Sequence, residues 1–181
     1  MRFALSLALS IAAVAAGSIG LGPGPDIQID WTINGPNITV TTKCIPNAKE
    51  GDIAWCAWGL SATGGMYPAN VFWMAIDSAG APLAVEDRAI AAIAQPPCIT
   101  KQITETKSKS FDKTSGILTV SFTRAINVTN AESKLGYMAF KDSLQYVIGG
   151  IGGKTRPTGK CDMTQNEHYG AFTYISVNFL A

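Results

Sequence analysis

The chain has 181 residues, 47% of them hydrophobic and 15% charged. That supports one domain with a sizeable core and excludes a disordered chain. Lys plus Arg is 14, Asp plus Glu is 13, and the net charge is +1. The densest basic stretch, Lys101, Lys107 and Lys109, is broken by Glu105 and runs into Asp112, so no phosphate-binding stripe is present and no nucleic acid is expected as a partner. The one histidine, His168, rules out zinc sites that need two or more His and any His-cluster pH switch.

In chain order, Met1-Arg2-Phe3 opens with a positive charge, and an apolar run follows to Ala15-Ala16-Gly17-Ser18. This layout predicts a secretory signal peptide over residues 1–16, cut near Ala16. The apolar run is short of the ~20 residues a membrane span needs. The mature chain is expected to be secreted, without a membrane anchor. Residues 17–26 are rich in Gly and Pro and are expected to be a flexible leader, with the domain proper at 27–181. Two sequons, at Asn37 and Asn127, and an even set of cysteines, Cys44, Cys56, Cys98 and Cys161, fit an oxidising compartment. Four cysteines allow three pairings, and spacing does not choose between them. There is no CxxC pair and no CxxCH.

Ile27, Ile29, Trp31 and Ile33 alternate with polar residues, which predicts a half-buried strand. Asn34-Gly35 signals a hairpin, and Ile38, Val40 and Thr42 continue the alternation. Ile53–Leu60 and Val71–Ile76 are apolar on both faces, as central strands are. Ser78-Ala79-Gly80 predicts a turn into Pro82–Arg88, while Ala84–Ala94 is Ala-rich enough for a turn of helix. Weak alternation covers Ile99–Lys107. Leu118, Val120 and Phe122 share one face. Leu135–Phe140 and Leu144–Ile148 are further strand candidates, and Ile175, Val177 and Phe179 share a face at the end. About nine to ten short strands predict an all-β sandwich or barrel. Two long loops are expected, Ser61–Asn70 and Gly149–Tyr169, and long ordered loops often carry function.

The segment Trp55-Cys56-Ala57-Trp58-Gly59-Leu60-Ser61-Ala62-Thr63-Gly64-Gly65-Met66-Tyr67-Pro68-Ala69-Asn70-Val71 resembles the DOMON domain family. Asp87-Arg88, a strand ending in Thr123-Arg124, and the late His168-Tyr169-Gly170 extend the resemblance over roughly residues 27–180. Pro68-Ala69-Asn70 stands where the family usually has Gly-Ala-Asp. The resemblance implies an immunoglobulin-like β-sandwich of mostly antiparallel strands. Members of the family bind haem b or sugars, and the haem-binding ones use a Met from the Gly-Met turn and a late His. Carried onto this chain, the axial ligands are Met66 and His168, with Gly65, Tyr67, Trp73 and Tyr169 beside the cofactor. Trp58, Phe72 and Phe172 are further aromatics for either a slot or the core, and Lys154, Arg156 and Lys160 are candidate propionate partners. Met138 and Met163 are lower-ranked sulfur donors.

A thioether and an imidazole fill both axial positions of the iron, so the chemistry implied is one-electron transfer with a separate extracellular redox partner, not self-contained catalysis. The alternative is a cofactor-free module that binds a sugar, another small ligand or a protein, with Asn70, Asp87 and Arg88 as polar contacts. Paired carboxylates for glycoside hydrolysis cannot be picked out of Asp77, Glu86, Asp87 and Glu167. Gly149-Gly150-Ile151-Gly152-Gly153 lacks the Lys-Ser/Thr ending of a P-loop and is expected to be a turn or bulge.

Overall fold

The computed structural model describes residues 15–22, 26–46, 53–91, 98–99, 101–153, 156–158, 161 and 174–181. Its strands are β1 (Ala16–Leu21), β2 (Ile27–Asn34), β3 (Asn37–Cys44), β4 (Trp55–Ser61), β5 (Ala69–Ala75), β6 (Glu86–Ile90), β7 (Glu105–Asp112), β8 (Ile117–Ala125), β9 (Gln145–Gly152) and β10 (Ile175–Val177). They form two antiparallel five-stranded sheets, ordered β1-β2-β3-β8-β7 and β10-β9-β4-β5-β6. The all-β sandwich expected from the strand pattern is therefore present. Among the described residues, no helix is long and apolar enough to cross a membrane.

The first sheet follows period-two alternation. Ile27, Ile29 and Trp31 of β2, Ile38 and Val40 of β3, and Leu118, Val120 and Phe122 of β8 all point into the core, and the intervening residues face outward. In the second sheet β4 and β5 are buried on both faces. Cys56, Trp58 and Leu60 with Phe72 and Met74 face the first sheet, while Trp55, Ala57, Trp73 and Ala75 pack on the far side. Trp58 lies at the centre, with its ring 4.6 Å from Phe72 and its Nε1–H donated to Thr42 Oγ1 at 2.8 Å. The chain end closes the core: Phe179 is fully buried, and its carbonyl accepts the Trp31 indole N–H at 3.0 Å.

The cysteines pair as Cys44–Cys56 and Cys98–Cys161. The first links β3 to β4 across the core, between Cα atoms 6.2 Å apart, inside the range a disulfide spans. The second joins a segment bridged to Arg88 of β6 with one that leads toward His168.

Several stretches differ from their sequence pattern. Residues 17–21, expected in a flexible leader, with Ala16, expected as the last residue of the signal peptide, form edge strand β1, paired with β2 from Ala16↔Thr32 to Leu21↔Ile27. Gly17 sits so close to Trp31 that a β carbon would overlap the indole, so a residue type that reads as loop is what lets this edge dock. Gly149 to Gly152, expected as a turn, continue β9 in register with Trp58 to Trp55. A β carbon on Gly149 would lie 2.8 Å from Leu21 Cδ1, so a side chain there would have to displace its neighbours. Leu135–Phe140 is not a strand. It follows helix α1 (Asn130–Lys134), which is started by a capping box between Thr129 and Glu132. Part of the Ala-rich stretch is β6, not a turn of helix. The first hairpin turns through Gly35-Pro36, with φ +57° at Gly35, so Asn34 is the last strand residue.

Candidate functional site

The Gly-Met turn joins β4 to β5 and is built around two hydroxyls. Ser61 Oγ donates to the Gly65 carbonyl at 2.6 Å and accepts the N–H groups of Thr63 and Gly64 at 3.3 and 3.0 Å. Thr63 Oγ1 donates to the Tyr67 carbonyl at 3.0 Å and accepts the Gly65 N–H at 3.2 Å. Gly64 has φ +80°, a left-handed conformation that glycine adopts without strain. The turn is thus fixed by side chains next to it in sequence, and it holds Met66 half-buried, with Gly65 and Tyr67 exposed on either side. Among the described residues, nothing hydrogen-bonds the Met66 thioether.

The turn rests on an aromatic pair. A β carbon on Gly64 would touch Tyr146 at 3.3 Å, and the Tyr146 ring meets Tyr174 edge-on at 5.9 Å. Tyr174 is the first described residue after the segment that carries His168 and Tyr169. Both of these site residues, with Phe172, Met163, Lys154 and Lys160, lie outside the described residues. Behind the turn, the outer face of the second sheet carries a buried apolar cluster of Ala69, Val71, Ile90 and Ile148. Farther along that face Trp73 stacks on Trp55 at 4.1 Å, with the Arg88 guanidinium 4.3 Å from its ring centre. Of the candidate aromatics, Trp73 therefore belongs to the outer face, and Trp58 and Phe72 belong to the core between the sheets. Met138 is half-buried against that core, and Arg156 lies at the other end of the sandwich, against Phe111.

Asp87 and Arg88 are neighbours on β6, so their side chains leave opposite faces and do not pair with each other. Arg88 pairs with Glu86 at 2.8 Å on the outer face, and Glu86 also accepts the Cys161 N–H at 2.7 Å. Asp87 points inward and accepts Thr104 Oγ1–H at 2.8 Å and the N–H groups of Thr104 and Ile103 at 3.1 and 3.3 Å. Arg124, the last inward residue of β8, donates to Asn70 Oδ1 at 2.8 Å and to the Met138 carbonyl, beneath Phe72, Phe140 and Tyr137. Burial lowers the Arg124 guanidinium to about 10, opposed by the Asp87 charge. Burial also raises the Asp87 carboxyl above its usual range, against the hydrogen bonds of Thr104 and the charge of Arg124. The Tyr137 phenol is raised as well, mainly by burial. Asn70, Asp87 and Arg88 are all buried and bonded to the protein, so they do not offer a ligand an open polar surface.

Sequence reasoning missed the residues that hold and flank the turn, Ser61, Thr63, Tyr146 and Tyr174, and the Glu86–Arg88 pair farther along the outer face. Ser-x-Thr immediately before Gly-Gly is a local signal for side-chain-to-backbone turn bonds. Tyr146 and Tyr174 carry no such signal, because their contact depends on pairing of β9 with β10.

No protein-family model matches the chain, and no curated protein matches it. Among solved structures, it is similar to the cytochrome domain of Myriococcum thermophilum cellobiose dehydrogenase. The TM-score is 0.63 over 92% of this chain and 82% of that one, at 11% sequence identity. At that identity the likeness shows a shared fold.

Proposed function

We propose that this chain is a secreted DOMON-like domain that binds haem b and passes single electrons to a separate extracellular protein. One observation carries the reading: the hydroxyl-pinned Gly-Met turn that bears Met66 packs through Gly64 on Tyr146, and Tyr146 meets Tyr174, the first described residue after the segment bearing His168. The donor chemistry fits. A half-buried thioether free of hydrogen bonds among the described residues suits a soft axial bond to haem iron. Bound haem would supply a one-electron couple, with Met66 and His168 as its protein ligands.

The chain's own residues supply position and exclusion of water. Ser61 and Thr63 fix the turn that carries the sulfur. The segment with His168 is anchored at opposite edges of the second sheet, by the Cys98–Cys161 bond beside β6 and by Tyr174 leading into β10. The two disulfides and the exposed sequon residues Asn37 and Asn127 fit an extracellular protein. The likeness to a cytochrome domain supports electron carriage over catalysis.

The deciding experiment is a visible spectrum of the secreted protein, oxidised and then dithionite-reduced, after expression with haem supplied. Resolved α and β bands on reduction are the expected result. A featureless spectrum that persists after haem is added to folded protein would sink the reading and leave a cofactor-free module.

A further inference from the structure

The end of the sandwich opposite the Gly-Met turn holds a cleft of about 380 Å³, formed by Pro46 after β3, the Ser78–Gly80 turn, the β7–β8 hairpin and Arg156. Lys113 and Arg156 converge in it. A β carbon built on Gly80 would lie 3.7 Å from Arg156 Nη1 and 3.9 Å from Lys113 Nζ, so both head groups approach one point. Neither forms an ion pair among the described residues. The carboxylates of the two flanking turns are committed to those turns. Asp77 accepts the Ala81 N–H at 2.8 Å, and Asp112 accepts the Thr114 N–H at 2.8 Å and the Ser115 hydroxyl at 2.7 Å.

Two like charges held together repel unless an anion joins them. The rest of the lining says what kind of anion. Pro46 and Phe111 give an apolar wall, and Ser78 and Thr114 add hydroxyls that no hydrogen bond occupies among the described residues. The volume lies in the range of small-molecule sites and exceeds what a bare inorganic anion fills. The turns on both sides are fixed by Asp77 and Asp112, so the cleft is formed before any ligand arrives.

We propose that this cleft binds an anionic sugar residue, carboxylated or sulfated, with its charged group between Lys113 and Arg156. The hydroxyls of Ser78 and Thr114 meet the ring hydroxyls, and the apolar wall takes the ring face. The site is independent of Met66 and of haem.

The test is an NMR titration of the ¹⁵N-labelled full chain with glucuronate, glucose 6-sulfate, glucose and inorganic sulfate. Saturable shifts at Ser78–Gly80 and Lys113–Gly116 are expected with one or both charged sugars, and the better of the two identifies the anion. Affinity should fall about tenfold or more in Lys113→Glu, an exposed turn position, and in the Lys113→Ala/Arg156→Ala pair. Lys101→Ala and Met66→Leu should bind like the wild type, which separates this site from the haem reading. Glucose binding as tightly as the charged sugars, sulfate binding as tightly as either, unchanged affinity in Lys113→Glu, or no saturable shift with either charged sugar would each overturn the proposal.

Discussion

Glu86 joins two parts of the structure that are far apart in sequence: one oxygen holds Arg88 at 2.8 Å and the other accepts the Cys161 N–H at 2.7 Å. The pair is almost fully buried, with 3% of each side chain exposed. Removing one partner of a buried ion pair costs about 3–5 kcal/mol. Glu86→Gln is therefore expected to lower the urea midpoint by that order, with little change in slope. Because the same carboxylate seats Cys161, the Cys98–Cys161 bond should also become easier to reduce. Cys44–Cys56, buried on both sides, should not. Thiol trapping followed by mass spectrometry reads the two bonds separately, and equal sensitivity of both would contradict the role given to Glu86.

Asp87 makes stability depend on pH in an unusual direction. Burial raises its folded pKa above the ordinary 3.8, so the native state keeps this proton to higher pH than the unfolded chain does. Stability is then greatest below the unfolded pKa and falls as pH rises from about 3.8 through the raised value. Asp112 and Glu132, both lowered, act oppositely, and their contributions are complete above their unfolded values of 3.8 and 4.5. Asp26, raised by burial, is common to wild type and variant and cancels in the difference. Asp87→Ala should be less stable at every pH, since Thr104 and Ile103 lose their acceptor, but its deficit should shrink as pH rises above 4. A deficit constant from pH 4 to 8 in chemical denaturation would contradict the raised pKa.

Two glycines in the second sheet should respond very differently to a single methyl group. On Gly59 a β carbon would fall on the Asn70 carbonyl oxygen and 2.5 Å from Val71 Cα, both main-chain atoms of the paired strand. On Gly149 it would meet the ends of Leu21 and Ile27 at 2.8 and 3.1 Å, which are side chains able to turn aside. Gly149→Ala should cost about 1–3 kcal/mol, the usual price of overpacking. Gly59→Ala must separate β4 from β5, and is expected to cost more than that or to prevent folding. Melting temperatures of the two variants make the comparison, and a milder loss at Gly59 would contradict the close strand approach.

The strands with strict alternation or an apolar run on both faces, β2, β3, β4, β5 and β8, were legible from period alone, because one residue decides its face locally. β1 and the end of β9 were not. Their glycines read as loop, and only the partner side chain, Trp31 in one case and Leu21 in the other, explains why a residue without a side chain sits in a strand. The disulfide pairing was closed to sequence for the same reason, since it depends on which strands face each other. Within the site, the Gly-Met turn was visible as a motif. The opposite faces taken by Asp87 and Arg88 follow from strand geometry once β6 is placed, and the Ala-rich sequence hid β6. Arg124 continued an alternating apolar face, and only the facing Asn70 and the aromatic rings around it show why a guanidinium occupies a core position.

The ligand assignment can be tested apart from the fold. Met66 is half-buried on an exposed turn and His168 lies outside every described strand, so Met66→Leu and His168→Ala should leave the sandwich folded. Far-ultraviolet circular dichroism and the melting temperature of the haem-free protein should stay near wild type, because Met66 is outside the core cluster and His168 is outside every described strand. If haem is held as proposed, each variant should lose the low-spin spectrum of the reduced protein. Met66→Leu should also lower the reduction potential of any haem retained, since a thioether favours the reduced iron. Ser61→Ala gives a finer reading. It leaves the sulfur in place but removes the hydroxyl that bonds Gly65, Thr63 and Gly64, so haem affinity should fall while the bound spectrum keeps its bands. An unchanged spectrum in both Met66→Leu and His168→Ala would assign the iron to other ligands. Loss in only one of them would leave a cytochrome with a different second donor, and Met163 would be the next sulfur to replace.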